Sequence, residues 1–181
     1  MSALTESKLA PFKYEKLTSP DMMRLLLLIP AKYEQEDIDC ELIEVDFDRV
    51  GSNKDPQDSY EALSWCWGGD TPDAELRMHK GHNVYGFNVT PNLKAALRAL
   101  RKHDGVRMLW IDAICIEQRN TKERNEQVPR MDKIYGRAKS VSIWLGEEAE
   151  DSKLAIDFIK DQVLSLWRFD ELIENRNMAR H

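Results

Sequence analysis

Apolar residues in this chain fall into short blocks before residue 90 and alternate with helical-period stretches after it. Arg24-Leu-Leu-Leu-Leu-Ile29, closed by Pro30, predicts a strand. Ile38-Asp-Cys-Glu-Leu-Ile-Glu-Val45 alternates imperfectly and predicts a second, half-exposed strand. Tyr60-Glu-Ala-Leu-Ser-Trp65 predicts a third, broken by Cys66-Trp67-Gly68-Gly69-Asp70. Leu76 to Lys80 and Val84 to Val89 flank Gly81-His82-Asn83, the pattern of a β-hairpin. Residues 1–20, polar with Pro11 and Pro20, read as a lead-in arm to a domain spanning 21–181, and 51–59 reads as a loop.

Thr90-Pro91 predicts a helix start, a hydroxyl cap followed by proline at the first helical position. Leu93, Ala96, Leu97 and Leu100 then give that helix one apolar face, and Gly105 ends it. Met108-Leu-Trp-Ile-Asp-Ala-Ile-Cys-Ile116 is nearly continuous apolar sequence, as expected of a strand covered on both faces. Asn120-Thr-Lys-Glu123 has the form of a capping box. The helix it opens is expected to bury Val128, Met131, Ile134 and Tyr135, with a kink or a late start at Pro129, which lacks a backbone N–H. Ser140 to Leu145 predicts a strand closed by Gly146, and Asp151 to about Trp167 a last helix with Leu154, Phe158 and Val163 inward. The order argues an α/β fold, a mostly parallel sheet flanked by helices. The two N-terminal strands and the hairpin are expected as antiparallel additions at its edge.

Composition narrows the classes. The chain has 181 residues, 42% hydrophobic and 32% charged, the length and balance of one globular domain. Its longest apolar run, Leu25 to Pro30, is far short of the roughly 20 residues a membrane span needs. The N-terminus lacks the basic start and apolar core of a secretory signal. A net charge of −6, scattered along the chain, argues against nucleic acid as partner. Arg98, Arg101, Lys102 and His103 read instead as solvated groups at a helix C-terminus. Cys40, Cys66 and Cys115 form no C-x-x-C pair, and Cys66 and Cys115 are expected to be buried, reduced thiols. His79 and His82 sit across a turn rather than at ligand spacing, so no metal site is expected. The reading is a cytoplasmic protein.

Ligands of open parallel sheets bind at the carboxyl ends of strands. Three segments end there: Ser64 to Asp70, the Cys115 to Asn120 turn with Asp112 inside its strand, and Gly146-Glu147-Glu148. The pair Gly68-Gly69 lets a ligand approach the backbone, and Trp67 offers a face for stacking. Alternatively, Trp65 and Trp67 are core. Neither G-x-G-x-x-G nor G-x-x-x-x-G-K-[ST] occurs. Asp112, amid Leu109, Trp110, Ile111 and Ile114, needs partners. Backbone N–H groups, Arg124 or Arg130 would serve, or it lines a ligand pocket. Glu123 is explained by the capping box and Arg124 by a polar network, which leaves both as secondary site candidates. No histidine lies near Cys66 or Cys115, and Ser64 sits in a strand rather than a nucleophile elbow, so no hydrolase triad is expected.

Read together, Tyr60-Glu-Ala-Leu-Ser-Trp-Cys-Trp-Gly68 resembles the first block of the fungal heterokaryon incompatibility (HET) domain. Leu109-Trp-Ile-Asp-Ala-Ile-Cys-Ile-Glu-Gln118 resembles the second, with Glu117 where the family has asparagine. Glu123-Arg124, Gln127-Val128, Met131, Ile134-Tyr135, Ala138, Val141 and Trp144-Leu-Gly146 resemble the third, spanning 123–146. Arg24-Leu-Leu-Leu-Leu and Thr90-Pro-Asn-Leu also resemble family positions.

The resemblance implies a fold similar to TIR domains, hence a flavodoxin-like arrangement. It implies a self/non-self recognition and cell-death effector module that self-associates or joins NOD-like receptor or amyloid-signalling partners. By the TIR likeness it further implies NAD⁺ as substrate, not as a resident cofactor, hydrolysed by the assembled full-length form. Ser64, Trp67, Gly68 and Asp112 are then the expected NAD pocket, with Glu123 and Arg124 behind them. The family's tryptophan–x–x–glutamine–glutamate block, which resembles the TIR helix with the catalytic glutamate, is not matched. Trp167-Arg-Phe-Asp-Glu171 has Asp170 in place of glutamine and one residue too many. The catalytic carboxylate is expected outside these 181 residues. A non-catalytic interaction scaffold and a nucleotide-binding sensor stay open as alternatives.

Overall fold

Seven strands and four short helices make up residues 9–51 and 59–147, the parts of the chain that the computed structural model describes. The strands are β1 (Met22–Leu28), β2 (Asp39–Asp46), β3 (Glu61–Trp65), β4 (Ala74–Lys80), β5 (Asn83–Val89), β6 (Arg107–Trp110) and β7 (Ser140–Trp144). The helices are α1 (Pro91–Leu100), α2 (Asp112–Cys115), α3 (Thr121–Gln127) and α4 (Met131–Arg137). All seven strands join one sheet in the order β5-β4-β2-β1-β6-β3-β7. The α/β class holds, and the sheet is mixed. The pairs β2–β4, β3–β6 and β3–β7 are parallel, whereas β1–β2, β1–β6 and β4–β5 are antiparallel.

β1 is central rather than peripheral, which corrects the expectation for the N-terminal strands. It pairs β2 on one side and β6 on the other, and so joins the hairpin half to the parallel run β6-β3-β7. Successive strand residues point to opposite faces. Leu25 and Leu26 are both fully buried, so β1 is covered on both. Four consecutive leucines are what such a position demands.

The apolar run Met108 to Ile116 is also not one strand. β6 ends at Trp110, and Asp112 to Cys115 turn into α2, which packs back against β1. Ile111, Ile114, Cys115 and Ile116 are all buried. Continuous apolarity reported burial here, and a buried helical turn has the same composition as a buried strand.

Where local signals agree, the elements form as predicted. Thr90 Oγ1 accepts from the Leu93 N–H at the start of α1, and Leu93, Ala96 and Leu97 are buried. The β4–β5 hairpin turns through Gly81 at φ +60°, the left-handed value that two-residue hairpin turns favour. Pro129 lies in a 3-10 turn, Val128–Arg130, that separates α3 from α4. Val128 is exposed rather than buried, while Ile134 is in the core. Arg101 is no loose surface charge, because its guanidinium donates to the carbonyls of Tyr33, Glu34, Glu36 and Asp37. The predicted helix 151–167 and most of the 51–59 loop lie outside the described residues.

One buried ion pair ties the helical layer to the sheet. Arg24, on β1, meets Glu123, on α3, through two hydrogen bonds of 2.5 and 3.1 Å, with both side chains 6% exposed. Arg24 also donates to the Cys115 carbonyl at the end of α2 and to the Glu15 carbonyl, and the Tyr14 ring lies 5.0 Å away. The arm is held by this same group and by backbone bonds of Phe12 and Ala10 to Gly86. The Tyr14 hydroxyl donates to the Ile114 carbonyl (2.8 Å), and burial raises its pKa above the ordinary range.

Breaking this pair from one side should cost far more than replacing it. Glu123→Leu leaves the guanidinium buried and unpaired, with an expected loss of about 3–5 kcal/mol in chemical denaturation. The double variant Arg24→Met, Glu123→Leu should recover most of that loss. A single variant as stable as the parent would contradict the assignment.

Candidate functional site

The carboxyl end of β3 meets the start of α2, the start of α1 and the end of β7. β3 carries Trp65 in register with Trp144 of β7. Past Trp65 the chain leaves the sheet, and Gly68 takes φ +59°, a value that favours glycine and lets the turn fold over. This places the Trp67 ring on the Trp65 ring, stacked at 5.8 Å between centroids and 21° between planes.

Asp112 fixes the stack. One carboxylate oxygen accepts from the Trp65 indole N–H (3.2 Å) and the Ala113 backbone N–H (2.7 Å). The other accepts from the Trp67 indole N–H at 2.9 Å. The partners of Asp112 are therefore two indoles and a backbone amide, not Arg124 or Arg130. Arg130 instead lies over the Phe47 ring at 4.3 Å and donates to the Pro20 carbonyl. Three donors occupy most of the acceptor capacity of one carboxylate, so Asp112 acts by holding rings in place. Asn92, the second residue of α1, completes the cluster by bonding the Cys66 carbonyl (3.1 Å) and the Trp144 indole N–H (2.8 Å).

The residues singled out from the sequence thus divide. Trp67, Gly68 and Asp112 converge. Trp67 is 46% exposed, so the reading that placed it in the core is wrong for this residue. Ser64 lies beside them in β3, half-buried and in register with Ile143. Glu123 points elsewhere, into the buried pair with Arg24. Only half of the expected capping box is made. The Asn120 side chain accepts from the Glu123 N–H, but the Glu123 carboxylate turns to Arg24 and the Glu117 N–H. A buried guanidinium outbids a backbone amide at a solvated helix start. Arg124 is exposed on α3, and among the described residues no hydrogen bond or ion pair joins it to Asp112.

Arg24, Asn92 and Trp144 lie in segments that resemble family positions but, like Tyr14, were not among the candidate site residues. Arg24 had a signal, since an arginine inside an apolar strand requires a carboxylate partner. Among the described residues no cluster of His, Cys, Asp and Glu able to hold a metal occurs, and no helix is long and apolar enough to cross a membrane.

The three sequence blocks coincide with this architecture: 60–68 is β3 and its tryptophan turn, 109–118 is β6 and α2, and 123–146 is α3 to β7. The family model "Heterokaryon incompatibility protein (HET)" matches residues 60–179, well over half of the chain. The chain belongs to the HET family. Heterokaryon incompatibility protein 6, OR allele, of Neurospora crassa is 32% identical to it over 83% of this chain and 23% of that protein. The HET chain described here thus spans under a quarter of the length of that relative. No solved structure matches it.

Cysteine chemistry follows from burial. Cys66 is exposed, against expectation, because the strand ends one residue earlier and turns it outward. Cys40 and Cys115 are buried, and desolvation pushes the Cys115 thiol up to about 12 and that of Cys40 higher still. Thiolate is the reactive form. A thiol reagent at neutral pH should therefore modify Cys66 alone in the folded protein, with Cys40 and Cys115 reacting only on unfolding. Rapid native labelling of Cys115 would contradict the packing of α2.

Proposed function

We propose that this HET-family chain acts in fungal self/non-self recognition as part of a cytoplasmic cell-death effector, and that its Trp67 face receives the nicotinamide ring of NAD⁺. The exposed, pre-stacked Trp67 indole carries this reading. A flat aromatic ring held by a carboxylate and left open to solvent is a platform for another planar ring. Asp112, bonded to its indole N–H, favours one that bears positive charge, as oxidised nicotinamide does. Turnover is assigned to the longer, assembled protein, because the two candidate carboxylates are engaged: Asp112 by three N–H groups, Glu123 by Arg24 and the Glu117 amide. In that reaction the bond between ribose C1′ and nicotinamide nitrogen breaks. Water supplies hydroxide to C1′, one proton is released, and nicotinamide leaves as a neutral base. Clustering, by self-association or by a NOD-like receptor or amyloid-signalling partner, supplies the trigger.

Binding and turnover are tested separately. Titration of the chain with NAD⁺ and with NADH, whose ring is uncharged, should show tighter binding of NAD⁺. Trp67→Ala should weaken it roughly tenfold, the equivalent of about 1.4 kcal/mol of stacking and cation–π attraction. Nicotinamide release should appear in a longer form of the protein under forced clustering and not in this chain. Equal NAD⁺ affinity of the parent and Trp67→Ala would overturn the site, and no release from either form would leave the interaction-scaffold reading in its place.

A further inference from the structure

The polar side chain of Asn92 bonds to the turn that carries Trp67 rather than to either indole of the stack. Asn92 occupies the second position of α1, where Thr90 already caps the helix, so the asparagine side chain does nothing for its own helix. It reaches across to two other elements instead. Its Nδ2 donates to the Cys66 carbonyl (3.1 Å) and its Oδ1 accepts from the Trp144 indole N–H (2.8 Å). An indole only donates and a carbonyl only accepts, so the amide has one orientation here. Aspartate, of nearly the same shape, would lack the donor and set a carboxylate against the Cys66 carbonyl. Leucine would supply neither bond.

We propose that Asn92 is the positioning residue of the Trp67 platform, fixing the turn at Cys66 so that Trp67 stays stacked on Trp65. The turn has two ties on either side of the Cys66–Trp67 peptide. Asn92 holds the Cys66 carbonyl from α1, and Asp112 holds the Trp67 indole from α2. Beyond them Gly68 and Gly69 offer little resistance, since glycine restrains the backbone least. With the Asn92 tie gone, Asp112 alone holds an indole on a loose hinge, and the stack opens. The ligand side of this inference rests on the NAD⁺ reading; the positioning role does not.

Stacked indoles give an exciton couplet in far-ultraviolet circular dichroism, and the part belonging to this pair is the part lost in Trp67→Ala. Asn92→Asp and Asn92→Leu should lose most of that couplet while keeping a cooperative thermal transition. Trp144→Phe, which frees only Oδ1, should lose part of it. NAD⁺ affinity should fall roughly three- to tenfold in the two Asn92 variants, as expected for one or two hydrogen bonds acting through a hinge. A full couplet in folded Asn92→Asp and Asn92→Leu overturns the proposal. Parental protein that fails to bind NAD⁺ overturns the nicotinamide reading, while the couplet still decides the role of Asn92.

Discussion

A guanidinium in the middle of a sheet dictates much of what surrounds it. Arg24 sits on the central strand at 6% exposure, where an unpaired charge would be too costly to keep. Its answer comes from four directions: the Glu123 carboxylate, the Cys115 carbonyl, the Glu15 carbonyl and the face of Tyr14. Those groups belong to α3, the end of α2 and the N-terminal arm. Satisfying one cation therefore sets where two helices and the arm rest on the sheet. Such a pair contributes less to net stability than its contacts suggest, because desolvation offsets attraction, while removing one partner leaves the other charge buried and unpaired.

The tryptophan cluster follows from that placement. With α2 held at its C-terminal end by Arg24, its first residue, Asp112, lies where both indoles reach it. Asp112 and Glu123 are then a pair of carboxylates with similar duties: each holds its surroundings through several donors, and neither is left free. What stays open to solvent is the Trp67 ring, its glycine turn and Cys66. The proposed recognition of a planar group rests on that exposed ring.

Legibility in the sequence tracked how local each determinant was. The α1 start, the hairpin and the break at Pro129 depend on neighbours within a few positions, and there propensity and capping agree with the fold. Placement of β1 depends on pairing with β2 and β6, and β6 lies some eighty residues away, so an apolar strand read in isolation was assigned to the wrong part of the sheet. The strand-to-helix change at Ile111 was hidden because both sides of it are buried. Trp67, Gly68 and Asp112, singled out by their positions after strands, do come together in space, which is as far as strand-end placement reaches. Arg124 is exposed on α3, away from the carboxylate it was expected to pair with. Arg24 lies 99 residues from Glu123 and Trp144 52 from Asn92, distances over which residue spacing carries no information.

The central claim, that the open indole of Trp67 is a ligand platform held by Asp112, is tested most directly on the indole N–H groups themselves. In a proton–nitrogen spectrum of the folded chain, NAD⁺ titration should shift the Trp67 resonance saturably and the Trp65 resonance with it. Trp110, buried at 1% exposure, should stay still. Indole resonances of Trp65 and Trp67 that remain unchanged at saturating NAD⁺, or a shift centred on Trp110, would contradict the account.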